Sequence, residues 1–439
     1  MISFQDELLG KHKDYVYCWL FNIGIEDEWS GDRFRMKNPE EDIVVQHMEE
    51  ILLLLAHSED ILLLRNVPEV KFLRRLKEMG FQIPQIICPQ KENLSLSITE
   101  LVLEDSVLIK RLQEYTKQKQ VYLLPYGVTE KEEQLSRICG MQIKGTSADV
   151  TQKMNSKLYG RELIRRLHLQ QPAGKICYSL EGIQSAWEEL RKDFRRVVIK
   201  RPYGASGQGI YLVDGSEKLQ RVLHLLKRLQ GREQEWIVEG WYEKKIDINA
   251  QLFIHDNGDI EIFSVKEQLL DDTVYYGSVF PVSLSEKIMN RYQKELNVIG
   301  KNLYDDGARG VVGIDSIITE QEIFPVIEIN VRFTLSTYLS KLPLLFFNRW
   351  FQSIYYRVPV LEQGVYDKLE NQLEHLGIGF NRGKSEGIFF YNYSCMNSEV
   401  IGKFGRLFTI IVAKDRDKLY QLQIQIEKLL EESGIRVWK

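Results

Sequence analysis

One segment constrains this chain more than any other: Gly313-Ile-Asp-Ser-Ile-Ile-Thr-Glu-Gln-Glu-Ile-Phe-Pro-Val-Ile-Glu-Ile-Asn-Val-Arg332. Two apolar runs flank a polar turn, which reads as a β-hairpin. With the turn centred between Gln321 and Glu322, Asp315 lies opposite Glu328 and Gly313 opposite Asn330. Side chains alternate faces along a strand, so Asp315, Glu328 and Asn330 share one face. Directly opposed carboxylates on an otherwise apolar hairpin repel, by roughly 0.2–1 kcal/mol at a solvated surface and more when buried. A divalent cation removes that penalty. Three hard oxygen ligands, two of them charged, suit Mg2+ and not zinc. The competing reading is a register slip or bulge that parts the acids and leaves them in water.

A second segment, Val197-Val-Ile-Lys-Arg-Pro-Tyr-Gly-Ala-Ser-Gly-Gln-Gly-Ile-Tyr-Leu-Val213, reads strand, glycine-rich loop, strand. Gly204, Gly207 and Gly209, with Ser206 among them, permit positive φ and let backbone amides approach an anion. No Gly-Lys-Ser/Thr and no helix follows, so this is neither a Walker A loop nor a Rossmann turn. An ordinary hairpin loop is the bland alternative. Lys200 argues against it, because a cation ending an apolar strand is costly to bury without a partner such as phosphate.

Two further pieces are weaker alone. Asn155 or Ser156 caps a helix running to about Leu169, which puts Lys157 in its first turn. The macrodipole disfavours a cation there by only about a few tenths of a kcal/mol, which a surface lysine tolerates. Between Trp236 and Asn249 a loop joins two strands. It either presents backbone groups of Gly240 and Trp241 to a purine edge, with a carboxylate for ribose hydroxyls, or is a surface turn with two core tryptophans.

The rest of the chain sets bounds. Its 439 residues suit about three domains, and 44% hydrophobic with 27% charged residues is ordinary for a globular protein. The 58 basic and 62 acidic residues leave a net charge of −4, so bulk charge gives no reason to expect nucleic acid or a membrane as partner. Five scattered cysteines without a Cys-x-x-Cys pair argue against a disulfide framework or structural zinc, and for a reducing cytoplasm. There is no secretory signal pattern. The greasiest stretches, 51–56 and 61–64, are interrupted by His57, Glu59 and Asp60, short of the roughly 20 apolar residues a span needs.

In the front third, strands near 15–21, 61–64, 83–87 and 121–124 alternate with helices at 68–79 and 129–138. That spacing predicts a parallel sheet with crossover helices. In helix 68–79, Val70, Phe72, Leu73 and Leu76 fall on one face. The middle is strand-rich, at 197–199, 210–213, 236–239, 246–254, 260–265, 311–318 and 323–331, with helices at 216–230 and 285–303. The tail reads as strands 387–393 and 407–413 and a helix to Glu432, although Tyr420–Ile426 also alternates with period two.

The order of these pieces resembles the ATP-grasp ligases: Asn155/Lys157, Lys200 with its glycine loop, Glu239 after an apolar strand, Asp315, then Glu328-Ile-Asn-Val-Arg332. Arg201 stands between Lys200 and Pro202, and Asp247 stands where a ribose-binding Glu is expected. The resemblance covers about residues 146–350. Residues 124–140, then Asn155-Ser-Lys157, are similar to the junction before the ATP-grasp domain in ligases that build antibiotic peptides or load an amino acid on a carrier protein.

The resemblance implies an α/β protein with an α+β ATP-grasp core at 146–362, a Rossmann-like pre-ATP-grasp domain at 1–145, and a small α/β lobe at 363–439. It implies ATP with one or two Mg2+ ions, Mn2+ being a possible substitute. A carboxylate of an amino acid or peptide attacks the γ-phosphate, and an amine, or a carrier-protein thiol, captures the acyl phosphate. Lys157 and Lys200 then bind phosphates under a cover of Gly204, Ser206, Gly207 and Gly209. Glu239, Gly240, Trp241 and Asp247 face the nucleoside, and Asp315, Glu328 and Asn330 hold the metal. Arg332 steadies the transferred phosphoryl or the tetrahedral oxyanion. Lys266 is a further phosphate candidate, against a solvated lysine. Neither nucleic acid nor membrane is expected as partner, and a homodimer is left open. The rival from another class is a silent nucleotide-binding protein, which has no need of Asn330 and Arg332.

Overall fold

In the computed structural model, which describes residues 4, 6, 14–30, 39–204, 209–229, 235–359, 364–381, 383–396 and 404–437, the front of the chain forms a parallel sheet. Its strands β1 (Tyr15–Leu20), β2 (Ile61–Leu63), β3 (Gln85–Ile87), β4 (Gln120–Pro125) and β5 (Gln142–Ile143) run in the order β3-β2-β1-β4-β5. Parallel strands require crossovers, supplied mainly by helices Val70–Met79, Ile98–Glu104, Ser106–Gln118 and Glu130–Cys139. Central β1 is buried on both faces: Val16, Cys18 and Leu20 enter one core, Tyr17 and Trp19 another. Ser97 with Glu100, and Thr129 with Glu132, form capping boxes that start two of the helices.

Two details differ from the pattern-based expectation. In helix Val70–Met79 the buried residues are Phe72, Leu76 and Met79, while Val70, at its start, is 66% exposed. The pair of helices between β3 and β4 has no counterpart in the sequence reading. Ser106–Gln118 buries only Leu108 and Leu112, so its apolar stripe is thin, and its start depends on Asp105 accepting from Val107 and Leu108.

A small antiparallel sheet follows, β6 (Gly174–Cys177), β7 (Val197–Lys200), β8 (Ile210–Val213) and β9 (Trp236–Gly240), ordered β6-β9-β7-β8. The main sheet contains β10 (Ile246–Ile254), β11 (Ile260–Asp271), β12 (Val274–Phe280), β13 (Gly310–Ile318), β14 (Ile323–Asn330), β15 (Trp350–Pro359), β16 (Gly387–Asn392) and β17 (Phe404–Ala413). Their order is β14-β13-β10-β11-β12-β15-β17-β16. The strands anticipated beyond residue 363 therefore complete this sheet, through β17 on β15 and β16 on β17. Tyr420–Ile426 is helical, within Arg416–Glu432: Leu419, Leu422, Ile426, Leu429 and Leu430 are buried, and Tyr420 and Ile424 face water.

The join between the two halves of the main sheet is the β12–β15 pair. Gly277 sits there opposite Ile354, and a Cβ on it would lie 2.1 Å from the Ser353 carbonyl oxygen. Gly277→Ala should therefore force the strands apart and cost about 1–3 kcal/mol. Calorimetry should show its melting temperature several degrees below wild type, with Gly215→Ala, where nothing lies within 4 Å of the added methyl, close to wild type. Equal melting of the two variants would mean the join is looser than described.

Candidate active site

The site is built outward from β13 and β14. Gly313 pairs with Asn330 and Asp315 with Glu328, the register read from the sequence. Beyond Asp315 the register shifts, so that Ile317 meets Phe324 and Ile318 meets Ile323. The turn sits one residue earlier than anticipated, closed by the Thr319 N–H donating to the Glu322 carbonyl at 2.9 Å. A bulge thus exists, but between the acids and the turn, and it leaves the acids opposed.

Burial, and after it the Glu328 carboxylate, pushes the Asp315 carboxyl up to about 6. Three carboxamides converge on it. Asn249 Nδ2 and Gln268 Nε2 donate to Oδ1 at 2.7 and 2.9 Å, and Asn330 Nδ2 donates to Oδ2 at 3.2 Å. These donors partly offset the charge a hard cation would offset fully. Among the described residues no group of three or more His, Cys, Asp or Glu is placed to hold a metal, so the expected ligand set comprises only two carboxylates and the Asn330 carboxamide. That all-oxygen set fits Mg2+ chemistry. Asn249 and Gln268 were not anticipated. A signal for Asn249 exists: in apolar β10, Asp247, Asn249 and Gln251 alternate with period two.

Ser156 caps helix Lys157–Arg166, its hydroxyl accepting from the Leu158 N–H. Lys157 Nζ then reaches Glu328 Oε1 and the Gly204 carbonyl, both at 2.9 Å, while its N–H donates to the Pro202 carbonyl at 2.9 Å. Lys200, ending β7, is 2.6 Å from Glu239 Oε2. The other Glu239 oxygen accepts from Arg161 Nη1 at 2.5 Å. Arg161, four residues after Lys157 on the same helix face, is a third unanticipated residue. Gly204 and Gly209 have φ of +146° and +73°, where a side chain is strained. Ser206 and Gly207 lie outside the described residues.

These groups surround a cavity of about 230 Å³. Lys157, Lys200, Gly204, Glu239, Gly240, Trp241, Asp247, Asp315, Glu328, Asn330 and Arg332 all line it. At the base end, the N–H groups of Gly240 and Trp241 donate to the carbonyls of Ala173 and Arg196 at 2.9 Å each, so neither amide is offered to a purine. Asp247 is ion-paired with Lys244 at 2.7 Å, and burial raises its carboxyl above the ordinary range. At the opposite end Arg332 Nη2 is 2.7 Å from Glu26 Oε1, and Nη1 donates to the Tyr126 hydroxyl at 2.8 Å. Tyr126 and Glu26 are 206 and 306 residues away in sequence, and no local pattern marks them.

Lys266 is neither in the cavity nor solvated, which corrects both expectations for it. It is fully buried on β11, donating to Ser264 Oγ, to the Ser336 carbonyl and to Ser340 Oγ, the last two at 3.1 Å. The reason is that the segment after Arg332 folds back over this strand, and its polar groups cover the amine before any ligand reaches it. Burial pushes the Lys266 amine down to about 7.

Comparison with known proteins matches this geometry to a family. Residues 154–336 match the ATP-grasp domain and residues 48–141 the pre ATP-grasp domain, so the chain carries an ATP-grasp domain preceded by a pre ATP-grasp domain. It is 28% identical over 421 residues to the [butirosin acyl-carrier protein]–L-glutamate ligase of Niallia circulans, covering 94% of each chain. It is also 25% identical over 239 residues to the carbamoyl phosphate synthase large chain of Clostridium beijerinckii, covering 54% of this chain and 20% of that one. Among solved structures, N5-carboxyaminoimidazole synthetase from Staphylococcus aureus complexed with ADP shares the fold at TM-score 0.56 and 12% identity, with 96% and 99% of the chains covered. Biotin carboxylase from Campylobacter jejuni does so at TM-score 0.56 and 12% identity, with 92% and 88% covered.

The buried lysine gives a test by pH. Unfolding returns the Lys266 amine from about 7 toward its ordinary 10.5, so between these values the unfolded chain binds more protons and stability rises with pH. The advantage of wild type over Lys266→Met in urea unfolding should grow by about 2 kcal/mol from pH 7 to 9. A difference that stays constant over that window would show an amine of ordinary basicity.

Proposed function

We propose that this ATP-grasp ligase activates the carboxylate of an amino acid or peptide as an acyl phosphate, releasing ADP, and passes the acyl group to an amine or thiol with release of phosphate. The observation that carries this reading is the single cavity in which Lys157, Lys200 and Arg332 face Asp315, Glu328 and Asn330. Phosphoryl transfer depends on alignment and charge offset more than on a covalent enzyme nucleophile, and these side chains supply both.

Lys157 and Lys200 would exchange their present carboxylate partners for the β- and γ-phosphates of ATP. Arg161 remains on Glu239 when Lys200 leaves it. Gly204 and Gly209, both at positive φ, keep side chains out of the backbone positions beside the phosphates. Asp315, Glu328 and Asn330 would hold one or two Mg2+ ions, or Mn2+, which when bound offset charge on the triphosphate. Arg332 faces the transferred phosphoryl, and the Glu239–Trp241 strand end with Asp247 faces the nucleoside. Residues 1–145 then form the substrate side and 363–439 the far edge of the sheet. Five cysteines without a disulfide and no helix, among the described residues, long and apolar enough to cross a membrane are compatible with a cytoplasmic enzyme.

Two acceptors remain. Similarity along nearly the whole chain to a ligase named for a carrier protein and glutamate favours an amino acid loaded on a carrier thiol. The C–N bond-forming reading is favoured by the shared core alone. Incubation with ATP, an amino-acid panel and hydroxylamine should give a hydroxamate with one class of amino acid. A mass increase on a phosphopantetheinylated carrier protein, with no amide product from free amines, selects the thiol.

Lys200→Ala and Glu328→Gln should each abolish this turnover while leaving circular dichroism and melting near wild type. Retention by Glu328→Gln of more than about a tenth of the wild-type rate, a cost of only about 1.4 kcal/mol, would sink the metal assignment.

A further inference from the structure

The Arg332 guanidinium stands between two sets of acids. Glu26, from the short helix Glu26–Ser30 after β1, holds Nη2 at 2.7 Å. On the other side Glu328 and Asp315 act on it through space. Burial works against the Arg332 cation, yet Glu26 first, then Tyr126, Glu328 and Asp315, outweigh it, and the net shift is upward. The Arg332–Glu26 pair is itself buried, at 8% and 7% exposure.

The remaining contacts fix the guanidinium plane. Nη1 donates to the Tyr126 hydroxyl at 2.8 Å and to the Phe333 carbonyl at 2.9 Å, and the Tyr126 ring lies 4.9 Å from the guanidinium carbon. Nε is different. Among the described residues it has no hydrogen-bond partner, and it is buried, on a residue that lines the cavity. A buried donor without an acceptor costs about 1–3 kcal/mol, which the guanidinium's other contacts must offset.

Glu26 is held as firmly as the residue it holds. Asn22 Nδ2 donates to the Gly127 carbonyl at 2.8 Å, and the Gly127 N–H donates back to Asn22 Oδ1 at 3.2 Å. Ile25 packs against Gly127, its Cδ1 standing 2.1 Å from where an added Cβ would lie. The segment carrying Glu26 is thereby locked to the strand end that carries Tyr126.

We infer that Glu26 is a positioning residue for the ligase reaction, holding the Arg332 guanidinium off the Asp315–Glu328 pair so that the guanidinium stays available to the transferred phosphoryl. This rests on the role given to Arg332 above. With the Glu26 charge removed, the acids still acting on Arg332 are Glu328 and Asp315. An arginine drawn onto them competes with a cation for the same oxygens and leaves the phosphoryl without its partner.

Kinetics of hydroxamate formation on the full chain test this, with Glu26→Gln, Glu26→Asp, Arg332→Gln and the Glu26→Gln/Arg332→Gln double variant. Glu26→Gln should lower kcat at least about tenfold with KM for ATP within about twofold, and Glu26→Asp, which keeps the charge, should recover part of the loss. Adding Glu26→Gln to Arg332→Gln should slow the enzyme no further, because both act through one contact. A kcat within about twofold of wild type, a KM for ATP that rises in step, or losses that multiply overturn the inference.

A binding readout separates this from the substrate assignment. Wild type should retain MgADP longer with aluminium fluoride, a planar stand-in for the phosphoryl, than without it, and Glu26→Gln should not, at equal MgADP affinity. Equal retention by the two proteins, or no fluoride effect on wild type, overturns the role of Glu26. A fluoride difference with no hydroxamate from any amino acid sinks the substrate assignment and leaves Glu26 in place. Should Glu26→Gln fail to fold, Glu26→Asp carries the same comparisons with a smaller effect.

Discussion

The opposition of Asp315 and Glu328 across β13 and β14 is the constraint around which the rest of the site is arranged. Two carboxylates in register on a buried surface are unstable unless something offsets them. In the protein alone the offset is divided by kind. Asp315 receives three neutral carboxamides, and Glu328 receives the Lys157 ammonium. The division matters for function. Amides stabilise a carboxylate without supplying a full charge, so they compete weakly with an incoming cation. Lys157 is a stronger competitor, but it has an alternative destination when a triphosphate enters. Under the proposed reading, both acids would then be open to a metal ion.

The same logic governs Glu239. A lone buried glutamate facing a lone lysine would make a pair too costly to open, since parting it leaves two uncompensated charges. Arg161 changes this by holding the second oxygen of Glu239 and, through the Pro172 and Gly174 carbonyls, the strand beside it. Lys200 is then the member free to move. It ends β7, four residues before Gly204.

What was legible in the sequence follows from distance along the chain. The hairpin register between Asp315 and Glu328 is set by one turn, and period two carried it through a bulge that the alternation did not show. The Ser156 cap fixed where Lys157 begins its helix. The parallel front sheet was readable because its strands are apolar on both faces and bounded by helices. Illegible were the features made by strands meeting late: β15 bridging β12 and β17, and the donation of Asn249 and Gln268 to an acid on another strand. Lys266 was misread for a related reason. Its strand was correctly seen, but the backbone that covers it belongs to residues 336–340, whose path no local pattern predicts.

The front domain is therefore more than a neighbour of the nucleotide site. Tyr126 follows β4, and its N–H donates to the Leu20 carbonyl at the end of β1, while the Phe333 N–H donates to the Tyr126 carbonyl, both at 2.8 Å. A continuous chain of backbone hydrogen bonds thus runs from the parallel sheet to the residue beside Arg332. Side-chain contacts alone would let the two domains rock and change the Arg332 geometry with every opening. Backbone bonds of this kind, with Ile25 packed against Gly127, tie the parallel sheet to the chain at the point where Arg332 enters the cavity. The Arg332 end of the cavity is therefore tied by backbone hydrogen bonds to the parallel sheet.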